Sequence, residues 1–208
     1  MKRTWLLVFI LAAAMICGCM QKIDYSKYEP LVNPAISEKP AQKVLVVESA
    51  GDPNKTGTQS ISALYGMYFR LKATVKGMPM PGGPKSRWPG FSANTPRDQW
   101  KGIWALPVPD SVTVLPAQRT GPAQVKLDTW EYGTVAEILH KGPYSNETQA
   151  IEKLRKFITD SGYVISGDHE EEYLKGPGMF WRGDPQTYLT IIRYEVTKAA
   201  PAGKAKKK

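Results

Sequence analysis

Apolar positions along this 208-residue chain fall into two rhythms that alternate. Lys43-Val44-Leu45-Val46-Val47-Glu48 is β-branched and predicts a strand, and Gly51-Asp52-Pro53-Asn54 predicts a turn. From Ser60 to Val75 the apolar residues Ile61, Leu64, Tyr65, Tyr68, Leu71 and Val75 recur mainly in steps of three and four, which predicts an amphipathic helix. Gly77 to Gly83 breaks it, and Arg87–Phe91 and Trp100–Val108 predict two further strands. The order then returns. Tyr132–His140 predicts a strand and Gly142-Pro143-Tyr144 a turn. Thr148–Ser161 predicts a helix with Ile151, Leu154, Phe157 and Ile158 on one face, closed by Gly162. Glu171–Leu174 and Tyr188–Val196 complete the set.

Sliding the chain so that Trp100 falls on Tyr188 superposes the two series. Literal identity is poor, but the order strand, helix, strand, strand is shared. This predicts an α+β fold built from tandem βαββ repeats. Neither unit has enough apolar surface to fold alone. Joined about a pseudo-two-fold axis they form one antiparallel sheet with both helices on one face. The other face is then either covered or a binding surface.

The ends of the chain read differently from the body, Lys43 to Thr197. Met1-Lys2-Arg3 precedes the apolar run Trp5–Ile16, which is shorter than the roughly 20 residues a spanning helix needs and fits a secretory signal. Ile16-Cys17-Gly18-Cys19 follows and resembles a bacterial lipobox. That resemblance implies a signal peptide over 1–19, lipid on Cys19 and a membrane anchor in the cell envelope. Bulky Ile16 disfavours Cys17 as the modified residue. Met20, in place of aspartate, implies the outer membrane, facing the periplasm. Residues 20–42 read as a tether, and 198–208 as a basic, disordered tail open to anionic lipid or polymer.

Charge and composition narrow the chemistry. The formal net charge of +9 falls to +3 once Lys2, Arg3, Lys204, Lys206, Lys207 and Lys208 are set aside, so no nucleic-acid partner is expected. Mean hydropathy of −0.35 excludes a polytopic membrane protein. With only two cysteines and two histidines, a disulfide scaffold and a Cys/His zinc cluster are excluded, and neither metal nor cofactor is expected.

The second half carries a spaced set: Val135 to Tyr144 with His140-Lys141-Gly142-Pro143-Tyr144 inside it, Gly162-Tyr163, Glu171-Glu172-Tyr173, Gly176-Pro177 and Leu189-Thr190-Ile191. This resembles the GyrI-like small-molecule-binding domain, over 132–197 in detail and over 43–131 by order of elements. The same fold serves as the effector-binding domain of AraC-type and multidrug-responsive regulators, and the SOUL proteins are similar to it. The resemblance implies a groove between two βαββ repeats that takes bulky, cationic or aromatic ligands, with a glutamate of the E-x-Y segment meeting the charge. That position is Glu171, with Tyr173 on the same strand face. Where relatives have Thr-Glu and Pro-Val in the last strand, this chain has Thr190-Ile191 and Glu195-Val196. No helix-turn-helix precedes the body, and a lipobox points away from transcriptional control.

Ring side chains are abundant: Trp88, Trp100, Trp104, Trp130, Trp181, Tyr144, Tyr173 and Tyr188. Core packing competes with an aromatic-walled groove that holds a ligand by stacking and cation–π contact. Trp88, Trp104, Tyr144, Tyr173, Tyr188 and Glu171 are the candidate ligand contacts. Glu172 is expected on the opposite face in solvent, His140 in a structural hydrogen bond, and His169 exposed in a loop. Gly178-Met179-Phe180-Trp181-Arg182 suggests a lid. The leading expectation is a lipid-anchored binder of an amphipathic small molecule. The alternative is a hydrolase in which Glu171 and Tyr173 activate water or protonate a leaving group. Tetrapyrrole binding is a weaker third.

Overall fold

The computed structural model describes residues 24–90, 95–118, 120–121, 123–177 and 183–200. The chain forms β1 (Ala35–Lys39), β2 (Gln42–Ala50), α1 (Pro53–Thr74), β3 (Lys85–Trp88), β4 (Lys101–Pro107), β5 (Lys126–Trp130) and β6 (Gly133–Lys141). After these come α2 (Thr148–Asp160), β7 (Tyr163–Ile165), β8 (His169–Lys175) and β9 (Leu189–Lys198). The strands make one antiparallel sheet in the order β1-β6-β9-β8-β3-β4-β2-β5, with β7 pairing β9. Reading inward from either side gives β6-β9-β8 and β2-β4-β3. These are the two βαββ repeats, joined where β8 pairs β3. The α+β duplication is therefore as the periodicity predicts.

Local chemistry explains where the elements begin and end. The Asp52-Pro53 pair, expected as a turn, starts α1 seven residues before the apolar spacing does. The Asp52 carboxylate accepts the Asn54 N–H at 3.0 Å, and Pro53 occupies the first turn, where its missing N–H costs nothing. Just past the end of α2, Gly162 turns the chain with a φ of +77°, which suits a residue with no Cβ.

The segment expected as a tether is partly folded. Ser26–Val32 forms a 3-10 helix, and β1 adds to the edge of β6, from Ala35 opposite Glu137 to Lys39 opposite Gly133. An edge strand needs only main-chain pairing and one inward aliphatic, here Ile36, so it leaves little hydrophobic signal. Among the described residues no helix is long and apolar enough to cross a membrane. The signal, Cys19 and residues 201–208 of the tail lie outside the described residues.

Register places both helices on one face. A row of cross-strand neighbours runs Ile138, Ile192, Glu171, Ser86, Trp104, Val47. Leu64, Met67, Tyr68 and Leu71 of α1 cover its Trp104 end, together with Leu45 and Leu106. Leu154 and Ile158 of α2 cover Ile138 and Ile192. Glu171 and Ser86 lie on the central strands, between the two apolar clusters.

The opposite face is covered by the sheet itself. β5 and β6 stand six strand steps apart, about 29 Å in a flat sheet. Yet only Glu131 and Tyr132 connect them, far too little chain for that span. The sheet must therefore curl into a half-barrel. Inside it Val44 and Val46 of β2 pack with Val135 of β6, Ala105, Trp130 and Tyr132. The rest of the interior is ionic. Arg193, 1% exposed, pairs with Glu137, Glu170 and Glu172, and Arg87 Nε donates to Glu170 at 2.8 Å. Lys85 lies 3.3 Å from Glu172 and donates to Gln42 at 2.6 Å. Glu172 thus faces away from the helices as expected, but it is paired within this ionic interior, with 17% of its side chain exposed, and is not freely solvated. Trp130 also belongs to this face, under the Arg87 guanidinium at 4.1 Å.

Candidate ligand-binding site

β8 carries the chemistry. Its odd residues, His169, Glu171 and Tyr173, face the helices, while Glu170 and Glu172 face the ionic interior. Glu171 Oε1 lies 2.9 Å from His169 Nε2, and Oε2 accepts the Tyr173 hydroxyl at 2.5 Å. The Tyr173 oxygen lies 2.9 Å from Ser86 Oγ. On the other side, His169 Nδ1 is 2.9 Å from the Tyr194 hydroxyl, which accepts Arg155 Nη2 at 3.2 Å. One proton assignment satisfies every link. Arg155 donates to Tyr194, Tyr194 to His169, and His169 to Glu171, while Ser86 donates to Tyr173 and Tyr173 to Glu171. The carboxylate is the acceptor at which both arms end.

Rings surround it in one continuous series. Trp88 meets Trp104 edge-on at 5.3 Å, and Trp104 stacks on Tyr173 at 6.3 Å and 24°. Tyr144 meets Tyr173 edge-on at 5.6 Å and tilts against Tyr188 at 5.3 Å. Trp100 extends the series beyond Trp88 at 5.5 Å. The structure thus brings together all six sequence-derived candidates, Trp88, Trp104, Tyr144, Tyr173, Tyr188 and Glu171. Trp104 reaches this place because Gly57 of α1 leaves room: a Cβ there would lie 2.8 Å from the ring.

The expectation for His169 is corrected. His169 is no exposed loop residue. It opens β8, is 4% exposed and is hydrogen-bonded on both nitrogens. The Glu171 side chain keeps 14% exposure, and both of its oxygens are engaged. A cleft of about 180 Å³ lies at the Trp88–Trp100 end of the ring series, lined also by Thr95, Gln99 and Lys101. The suggested lid, 178–182, with Trp181, lies outside the described residues. His140 does make a structural bond, from Nε2 to the Pro143 carbonyl at 3.1 Å.

The site also contains an acid that sequence reasoning missed. Glu147 sits at the N-cap position just before α2 and is 7% exposed. A glutamate at a helix start reads as a cap, yet its side chain caps nothing. Burial, and then the charge of Glu171, push its carboxyl up to about 9, with the Thr190 hydroxyl pulling the other way. Burial likewise raises the hydroxyls of Tyr173, beside Glu171, and of Tyr144, beside Tyr188, Glu147 and Glu171.

Residues 33–192 match the model of the GyrI-like small-molecule-binding domain. The chain belongs to the GyrI-like family. No curated protein matches it. Among solved structures, a conserved protein from Listeria innocua is 24% identical, with a TM-score of 0.68 over 85% of this chain and 100% of that one. A hydrolase from Listeria innocua is 23% identical, also at 0.68, with the same coverage. The C-terminal domain of EcmrR is 17% identical, with a TM-score of 0.56 over 80% of this chain and 98% of that one. At these identities the likeness is one of fold. The GyrI-like assignment supports a small molecule as partner.

Proposed function

We propose that this GyrI-like chain binds an amphipathic small molecule, cationic or aromatic, at the ring series around Glu171. It does so from the cell envelope, as a lipoprotein anchored through Cys19 in the outer membrane and facing the periplasm. The observation that carries the reading is one carboxylate set among five ring side chains on the midline between the repeats. A desolvated carboxylate favours a cation, and the rings add cation–π attraction of about 0.5–2 kcal/mol each. Tyr144, 38% exposed, is the most open ring of the series, so its displacement admits the ligand.

Tetraphenylphosphonium is a suitable hydrophobic cation, with triphenylphosphine oxide as its uncharged counterpart. Tryptophan fluorescence should report both. Glu171→Gln should weaken the cation about tenfold or more, in line with removing one partner of a close charge pair, and leave the oxide unchanged. Equal affinity of both proteins for the cation would refute the reading. Radiolabelled palmitate incorporated by the wild type and absent from Cys19→Ser would support the anchor, and label retained in Cys19→Ser would refute attachment at that residue.

One observation favours a second reading. The arm Arg155–Tyr194–His169–Glu171 resembles an oriented base, and Tyr173 stands opposite as an acid. In that reading Glu171 activates water against an electrophilic small molecule while Tyr173 protonates the leaving group. A ligand recovered unchanged after long incubation refutes it. Turnover lost in Glu171→Gln with binding kept supports it.

A further inference from the structure

Glu147 Oε1 and Thr190 Oγ1 are both buried, and neither completes a hydrogen bond with a described residue, although the two side chains are close enough for the Thr190 hydroxyl to lower the Glu147 carboxyl. A buried unpaired polar atom costs about 1–3 kcal/mol, so a carboxyl kept in this state is a candidate for contact with something else. Its setting is the ligand site. Thr190 lies between His140 of β6 and Tyr173 of β8 in the register, on the face that carries Glu171. Groups that face Glu147 come from every neighbouring element. They are Glu171 and Tyr173 of β8, Thr190 of β9, and Tyr144 of the preceding turn with Tyr188 against it; His140, the register neighbour of Thr190, is committed to Pro143. Burial and the Glu171 charge keep the Glu147 carboxyl protonated at neutral pH.

Resting on the reading above, we propose that Glu147 is a second acidic contact of the site: a bound cation is held between the carboxylates of Glu147 and Glu171, and binding expels to solvent the proton that Glu147 carries in the free protein. The exchange balances in charge, one cation in and one proton out. It would make the site selective for cations over neutral aromatics, and more so as pH rises.

The test is calorimetric titration of the full lipidated chain in zwitterionic detergent with tetraphenylphosphonium. Parallel runs in phosphate and Tris at pH 7.5 differ in buffer ionisation heat and so count protons. The wild type should release about one proton per cation, and affinity should rise about tenfold per pH unit between pH 6.5 and 8.5. Glu147→Gln should release none and lose the pH slope, and triphenylphosphine oxide should release none from either protein. Cation binding without proton release in the wild type, or unchanged release in Glu147→Gln, overturns the proposal and leaves the binding function standing. No binding of the cation by the wild type overturns both. If Glu147→Gln does not fold, the wild-type proton count decides alone.

Discussion

Tyr173 donates its hydroxyl to Glu171 Oε2 at 2.5 Å from two residues along the same strand, and the Tyr173 hydroxyl oxygen itself lies 2.9 Å from Ser86 Oγ of the other repeat. The two halves of the molecule therefore meet at the acid that defines the site. Tyr173→Phe keeps the ring against Trp104 but cuts this link. We expect a loss of about 1–2 kcal/mol in urea unfolding, the usual cost of a buried hydrogen bond. Affinity for triphenylphosphine oxide should change less than threefold. Any hydrolytic turnover should fall at least a hundredfold.

Gly57→Ala tests how α1 seats Trp104. Alanine would gain up to about 1 kcal/mol of helix propensity. Against this, the new Cβ would lie 2.8 Å from a ring held between Trp88 and Tyr173 and bonded from Nε1 to Ser49 at 3.0 Å. Overpacking of about 1–3 kcal/mol exceeds the gain. A net fall in melting temperature with a shifted tryptophan emission is the expected outcome, and a rise would show that the ring moves freely.

Arg193→Met should cost about 3–5 kcal/mol, because it strands Glu170 and Glu172 in the half-barrel. Urea unfolding measures it. A change under 1 kcal/mol would mean that Lys85 and Arg87 neutralise the interior unaided.

Two carboxyls should tilt the pH profile of stability in opposite senses. Burial alone would raise Glu172, but Lys85 and Arg193 outweigh it and hold the group at about 2, below the ordinary 4.5. Its stabilisation is full above about 4.5 and is lost as pH falls toward 2. Glu147, raised to about 9, holds its proton more tightly in the fold, so its contribution is full below about 4.5 and is lost as pH rises to 9. Melting scans should show Glu172→Gln flattening the acid limb and Glu147→Gln flattening the alkaline one. Each kcal/mol should move the midpoint by about 2–4 °C. Identical alkaline limbs in wild type and Glu147→Gln would contradict the assignment.

Both repeats were legible because each helix and most strands bury one face, which imprints a period on the residues. β1 and β5 were not, because edge strands draw on main-chain pairing more than on side chains. Alternation placed Glu171 and Tyr173 on one side of β8, and the structure sets the ring residues beside them. The partners His169 and Ser86 were beyond reach, since their roles follow from how β8 pairs β3 and β9 across the repeats. Glu172 misled for the same reason: a glutamate outside the helix face reads as wet unless the curl of the sheet is known. Glu147 gave no signal in the sequence, where an acidic residue beside a helix start is ordinary, and only its burial marks it.

β8 holds ring-bound acid on one side and paired acids on the other, in alternate residues. Sliding that strand by a single residue against β3 would carry Glu170 and Glu172 among the tryptophans and drop Tyr173 among the arginines. Both errors are costly at once, so the two chemistries proofread one alignment. Substitutions that relax either side should first show up as a second, misaligned form of the protein, before any loss of overall folding.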